Sequence, residues 1–438
     1  MVSRSNIKLK ANSEKVVLQY FDIGEVRSKK LIERILSLDK SITEKILIKV
    51  FADFGKRHRL FEELLMANYK KAKKNIAEKQ RLTNDQKLLI GSYFSKEYSI
   101  EAAALFNPSI VVHPNKTKSS KDELNIIISL RAAGEGHISS IEFREGKIKK
   151  ENKIDLVNKS RFASLPQKYV FAQEKEIDKR RLGNTLSNEE RTDFLLTNYT
   201  AEFNPKVPLE ERVLFPKSSS ENIGMEDLRL VKFTDKGITK YYGTYTAYNG
   251  KSFRPQLLET EDFRKFKVSS LYGNAVYDKG FALFPRKINN KFVFTSRQDG
   301  ENLYMMYSDN LYKWESKEII RMPQNYWEFV QLGNCGSPLE TEKGWLLITH
   351  AVGPFRTYVI SALLLDLNNP AKVIGALDEP LIQPNKIERE GYVPNVVYSC
   401  GSIIHKNNLI IPYAMSDSAT GFAFADVNKI LNKINFSL

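Results

Sequence analysis

Cysteine is nearly absent: Cys335 and Cys400 are the only two in 438 residues. Two thiols cannot build a disulfide framework, and neither stands in a CxxC pattern, so a reducing, cytoplasmic setting is expected. Histidine is scarce too, at five residues. No HExxH pair, no Gly-x-Ser-x-Gly elbow and no GxGxxG opening a helix is present, which sets aside the matching zinc, hydrolase and dinucleotide classes. Nothing in the sequence calls for a metal or an organic cofactor. Long apolar runs are missing as well. No stretch approaches the roughly 20 residues a bilayer crossing needs, and Met1 to Lys10 lacks the apolar centre of a secretory signal. A soluble, unexported protein without a membrane partner is the expectation. Acidic residues fall short of basic ones, 52 against 67, for a formal charge of +15. The lysines are scattered, as in Lys70-Lys71 and Lys73-Lys74, without interleaved aromatics or a nucleic-acid module. Nucleic acid is therefore not the expected partner; a small anionic substrate such as phosphate, or a lysine-rich proteome, explains the excess.

What is present is the composition of a globular protein, 42% hydrophobic and 11% aromatic, in a chain long enough for more than one folding unit. After a first strand over Val16 to Phe21, the segment to about residue 103 reads as helix. Leu60, Phe61, Leu64, Leu65 and Tyr69 recur at helical intervals, and both Ser41-Ile42-Thr43-Glu44 and Thr83-Asn84-Asp85-Gln86 have capping-box spacing. Residues 1–103 are thus expected to form an N-terminal α-helical extension, a cap or a contact within a homo-oligomer. From residue 104 to 438 the texture is mainly β: short apolar runs such as Asn125 to Leu130, Lys291 to Phe294, Trp345 to Ile348 and Leu409 to Tyr413, broken by Gly, Asn, Asp and Pro. A motif, a turn, an apolar strand and a polar reach recur five times, beginning near Asn107, Gly224, Lys279, Gly333 and Pro394. That is the pattern of a five-bladed β-propeller, with a β-sandwich as the alternative on periodicity alone. Residues from about 150 to 222 read as a long excursion over the pocket, with a short helix capped at Ser187-Asn188-Glu189-Glu190.

The chemistry gathers at Gly224-Met225-Glu226-Asp227-Leu228-Arg229, just before the apolar Leu230 to Phe233. Strand alternation puts Asp227 and Arg229 on one face and Glu226 on the other, so one acid is chemical and its neighbour structural. The polar reaches add Arg131, Arg297, His350 and Asp417, while Asp278-Lys279-Gly280 places a lysine at a tight turn and Arg356 stands on the loop after His350. Cations suit a bound oxyanion, and a carboxyl beside them suits proton donation to a departing sugar oxygen. Each also has a blander reading: a solvated charged turn, a turn lysine in water, a satisfied structural histidine. Gly333-Asn334-Cys335-Gly336-Ser337-Pro338 lacks the GK[ST] ending of a phosphate loop.

In their order, Gly224 to Arg229, Asp278-Lys279-Gly280 with Ala282 to Arg286, Ser296 to Asn302, Gly333 to Pro338 and Pro394 to Tyr398 resemble glycoside hydrolase family 130. The resemblance runs from about Asn107 to the C-terminus. It implies a five-bladed propeller and a β-mannoside phosphorylase, in which phosphate attacks a terminal β-mannosyl unit with inversion and releases α-mannose 1-phosphate. It also implies that Asp227 is the proton donor, acting through a mannosyl hydroxyl. By the same resemblance Asn107, Arg131, Glu226, Arg229 and Asp417 bind the sugar, and Lys279, Arg297, His350 and Arg356 stand on the phosphate side. Phosphate is then a co-substrate and a β-mannoside oligosaccharide the partner. A β-1,2-mannosidase using water, which calls for a carboxylate where the cations stand, and a non-catalytic carbohydrate-binding propeller are the alternatives. Leu228 departs from the commoner pattern, where many members carry proline; the acid stays, and the acceptor sugar is left open.

Overall fold

The computed structural model describes residues 2–76, 81–115, 123–150, 153–157 and 160–436. Strand makes up 41% of the chain and helix 21%, and the strands fall into five successive antiparallel units. The first unit holds Ala104–Val112, Leu124–Ala133 and Ser139–Ile148. The second runs through Gly224–Asp235, Ile238–Tyr248, Phe253–Thr260 and Lys265–Ser270. One parallel pairing, Gly224 with Ser139, joins these two into a single sheet. Lys279–Leu283, Phe292–Arg297, Leu303–Ser308 and Glu318–Arg321 make the third. Gln331–Asn334, Gly344–Val352, Tyr358–Leu365 and Val373–Ala376 make the fourth, and Val397–Tyr398, Asn408–Met415 and Ala419–Asp426 the fifth.

Both faces of these sheets are buried, which is why their strands read as continuous apolar runs and not as alternating ones. Leu346 and Ile348 pack with Leu409 and Ile411 of the fifth unit, whereas their neighbours Trp345 and Leu347 pack with Val293 and Leu303 of the third. The same holds around the molecule. Leu228 and Leu230 meet Ile127 and Ile141 of the first unit, and Val231 and Phe233 meet Phe281 and Phe294 of the third. A last core returns from the fifth unit to the first, through Ile410, Phe422 and Phe424 against Ile110, Ile126 and Ile128. Each fully buried side chain of this kind contributes roughly 1.5–3 kcal/mol, so the ring of cores fixes the units and, with them, the polar residues at their inner ends.

In the N-terminal segment Glu25–Leu36, Lys40–Phe54, Phe61–Ala72 and Asn84–Tyr93 are helices packed around Ile35, Leu47, Leu65 and Leu89, but Ser95–Ser99, expected as helix, is a strand paired with Val16–Tyr20. Thr83 and Gln86 form the expected capping box. Ser41 does not cap, because that helix begins a residue earlier, at Lys40, with Asp39 before it. Two further expectations are corrected. Val2–Arg4 and Leu9–Lys10 pair with Ala419–Asp426, so the chain's first residues belong to the fifth unit's sheet and a boundary at residue 103 does not hold for them. No described residue of the stretch from 150 to 222 lines the pocket: Lys168–Phe171 and Tyr199–Glu202 extend the outer edge of the second unit, since their apolar residues complete its core. The helix Asn188–Thr197 within it carries the predicted capping box at Ser187. Among the described residues no helix is long and apolar enough to cross a membrane.

Candidate active site

The inner strand pair of every unit ends on one cavity of about 190 Å³. All ten residues singled out in the sequence line it: Asn107 and Arg131 from the first unit, Glu226, Asp227 and Arg229 from the second, Lys279 and Arg297 from the third, His350 and Arg356 from the fourth, and Asp417 from the fifth. Three larger depressions, of about 410, 350 and 220 Å³, lie elsewhere and gather no comparable set of cations. Charge and convergence, not volume, mark the site.

The backbone departs from strand geometry where the site needs it. Pairing in the first unit skips between Phe106 and Ser109, in the second between Glu226 and Arg229, and in the third between Lys279 and Ala282. The residues in or beside these breaks have left-handed backbone, with φ of 46° at Asn107, 56° at Asp227 and 58° at Asp278; Asp417 follows at 50°. Asn and Asp are the side chains that tolerate this region best. A bulge adds a residue to one strand and re-aims the side chains around it. The alternation argument therefore fails here. Glu226 and Asp227 both turn toward Arg131, which donates to Glu226 Oε1 at 2.6 Å and to Asp227 Oδ1 at 3.3 Å.

Asp227 also accepts from Asn107 Nδ2 at 2.7 Å, and Arg229 donates to its backbone carbonyl at 3.1 Å. Burial pushes the Asp227 carboxyl up, but Arg131, Arg229, Asn107 and Lys279 outweigh it and hold the group below its ordinary value. Glu226 is shifted the other way, because burial and the neighbouring Asp227 charge exceed the pull of Arg131. Asp417 is raised to about 6, first by burial and then by Asp227, with Arg131 and Arg356 opposing.

The remaining cations are differently placed. Among the described residues Lys279, Arg297 and Arg356 form no ion pair. Lys279 Nζ lies 4.3 Å above the Phe253 ring, Arg356 lies 5.6 Å from that of Tyr358, and Arg297 gives one hydrogen bond to the Gly300 carbonyl. Arg229 donates to the Tyr398 hydroxyl at 2.5 Å. The Nε atoms of Arg297 and Arg229 and the Oδ1 of Asn107 are buried without a hydrogen-bond partner, a costly state that a polar ligand relieves.

His350 lines the cavity in its neutral form. Its Nδ1 faces the Asn334 carbonyl at 3.0 Å and so carries the proton, leaving Nε2 to accept from the Gln331 amide at 3.1 Å. Burial, then Arg297 and Arg229, push its pKa well below the usual value. Both ring nitrogens are engaged, so His350 has no N–H left for an anion and acts by packing. A Cβ on Gly333 would come within 2.5 Å of its Cε1 and 3.1 Å of Arg297 Cδ, which explains the glycine in Gly333-Asn334-Cys335-Gly336. Five further residues line it that were not named as site residues: Thr246, Gln331, Tyr358, Val396 and Tyr398. Val396 and Tyr398 had a signal, within the Pro394 to Tyr398 motif, and Tyr358 another, on the loop after His350 beside Arg356.

A family model described as β-1,4-mannooligosaccharide phosphorylase, of glycoside hydrolase family 130, matches residues 199–435. The chain belongs to glycoside hydrolase family 130. A 1,2-β-oligomannan phosphorylase of Thermoanaerobacter sp. (strain X514) is 33% identical over 227 residues, covering 51% of this chain and 75% of the relative. A β-1,2-mannobiose phosphorylase of the same organism is 32% identical over 255 residues, covering 56% and 82%. The solved β-1,2-mannobiose phosphorylase from Listeria innocua, in complex with β-1,2-mannobiose, aligns at a TM-score of 0.53 and 19% identity over 77% of this chain and 93% of that one, a likeness of fold. Asn107 and Arg131 precede the segment that the family 130 match covers, and it is the structure that brings them to Asp227.

Proposed function

We propose that this chain cleaves terminal β-mannosidic bonds with inorganic phosphate and inversion, giving α-D-mannose 1-phosphate and a shortened oligosaccharide. The observation that carries the reading is the cavity's charge: Asp227 sits among hydrogen-bonded partners, and Lys279, Arg297 and Arg356 reach the same space without ion-pair partners among the described residues. A phosphate oxygen forms the bond to the anomeric carbon as the bond to the departing sugar oxygen breaks. The Asp227 proton reaches that oxygen by way of a mannosyl hydroxyl. A phosphate set beside Lys279 and Arg297 cancels part of the positive field on Asp227 and lifts its pKa toward the proton-holding range. No general base is needed, since phosphate replaces the activated water of an inverting hydrolase, and the scheme calls for no metal or organic cofactor.

Arg131, Glu226, Asn107 and Asp417 hold the mannosyl unit in this reading, with the Asn107 Oδ1 accepting from a sugar hydroxyl. Lys279, Arg297 and Tyr398 take the phosphate; His350 keeps Gln331 and Arg297 in place. We also read the five units as blades of a propeller closed by Val2–Arg4, with the helices of residues 25–93 as an added extension. The ring of cores between successive units supports this.

Incubation with β-1,2- and β-1,4-linked mannooligosaccharides and phosphate, followed by phosphorus and proton NMR, tests the proposal. The α-anomer of mannose 1-phosphate is expected, and Asp227→Asn should lower kcat by about 10²–10⁴-fold. Free mannose as the only product would overturn it in favour of hydrolysis.

A further inference from the structure

Beside the cavity mouth the fourth unit carries Pro354–Arg356, the turn between its two longest strands. Phe355 in that turn is 95% exposed, the most solvent-facing large apolar side chain among the described residues. Its backbone is left-handed, with φ 55°, and so is that of Arg356, at 53°. Two consecutive non-glycine residues in this region are strained, and an aromatic one is poorly suited to it. The turn is nevertheless fixed, since the Gly353 N–H donates to the Thr357 carbonyl, the Thr357 N–H donates to the Pro354 carbonyl, and Gly353 lies against the Trp327 backbone. Strain held by its surroundings points to a use for the side chain that it displays.

Arg356 and Tyr358, on either side of the turn's end, line the cavity, and so does Gln331. The segment leading into Gln331 buries Trp327 and Glu328 but exposes Phe329, at 64%, and Tyr326, at 60%, and it is tied to the turn's own strand by the Val330 N–H to the Val352 carbonyl. Phe355 and Phe329 thus stand one and two residues from the cavity-lining Arg356 and Gln331. The cavity itself, at about 190 Å³, is small, so any further sugar units of a bound chain must leave through its mouth. The C–H face of a pyranose packs on an aromatic ring, with its hydroxyls left in water.

We infer that Phe355 is a binding platform for the acceptor end of the substrate: the sugar units of a β-mannoside chain beyond the bond that is cleaved. This rests on the proposed function and adds to it a preference for chains longer than a disaccharide. The platform is continuous with the cavity through Phe355–Arg356 and Val330–Gln331, and an exposed strained aromatic next to a polar cavity favours a sugar over a second protein surface, which a broader patch would serve.

The test is calorimetric titration of the Asp227→Asn chain with β-mannobiose and β-mannotetraose, each in β-1,2 and β-1,4 linkage, with and without Phe355→Ala, Phe355→Leu and Phe355→Tyr. Phe355 is exposed, so these variants fold; unchanged thermal midpoints check it. Alanine and leucine should weaken the tetrasaccharide about 5–10-fold and leave the disaccharide within two-fold, and tyrosine should keep both. Equal effects on both lengths, or none on either, would overturn the platform and leave the parent reading standing. A change of sedimentation coefficient in Phe355→Ala would overturn it too, by assigning the turn to a second copy of the chain. Absence of binding by every β-mannoside would remove the parent reading and the platform together.

Discussion

Gly333 shows how a single missing side chain sets the geometry of the anion side. Its Cα faces His350 and Arg297 so closely that one added carbon would displace both. Phosphate binding in Gly333→Ala should therefore suffer while mannoside binding is largely kept; a misplacement near 1 Å at such a site costs on the order of 10²-fold. Separate KM values for the two substrates check this. Asp417 makes the second case, through its raised pKa of about 6. If it accepts sugar hydroxyls as a carboxylate, kcat/KM falls as pH drops below about 6, and Asp417→Asn removes that limb. Stability runs the other way. A carboxyl raised in the folded state favours folding most below its ordinary value of 3.8, and that contribution is lost as pH rises from there through 6. Asp417→Asn should then be at least as stable as the parent chain at pH 7, as read by thermal unfolding across that range.

The strand breaks at Asn107, Glu226–Arg229 and Lys279–Ala282 explain which parts of the site could be read beforehand. Residue types and their order pointed to Asp227, Lys279 and Arg297 because few chemistries want those side chains at strand ends. The direction of Glu226 could not be read. Alternation holds only while the ladder is regular, and a bulge leaves no mark in sequence beyond an Asn or Asp that also suits a turn. Thr246 and Gln331 were missed for a related reason: each is an ordinary strand or loop residue until the units converge. The helices were legible from their spacing, and of two capping boxes the one at Thr83 held because Gln86 stands three residues into the helix. What joins this segment to the first unit was not legible at all. Lys15, Glu101, Glu142 and Arg144, distant in sequence, form a buried cluster in which Lys15 and Arg144 each contact both carboxylates. Burial raises both acids, but Lys15 and Arg144 bring Glu142 down to about 2, whereas burial and Glu142 leave Glu101 up at about 7. Glu142 thus carries the charge. Glu142→Gln should cost about 3–5 kcal/mol, as expected for breaking a buried pair, and Glu101→Gln distinctly less. Equal losses in denaturant titration would contradict this division.

Across the molecule, five apolar cores each lie between neighbouring units, and the last returns to the first. The first residues of the chain pair with its final strand, and Arg4 reaches Glu388 at 2.8 Å. This closure sets Asp417, near the C-terminus, in one cavity with Asn107 and Arg131. Stability and chemistry are coupled through it, since side chains from every unit meet only where the ring of cores holds. The account's central claim is that the cations in this cavity bind the attacking group as an anion. Initial rates of sugar release from a β-mannooligosaccharide, followed as phosphate is raised from zero, test it most directly. A rate near zero without phosphate, rising to saturation, is the result predicted. A rate that is the same with and without phosphate would contradict it.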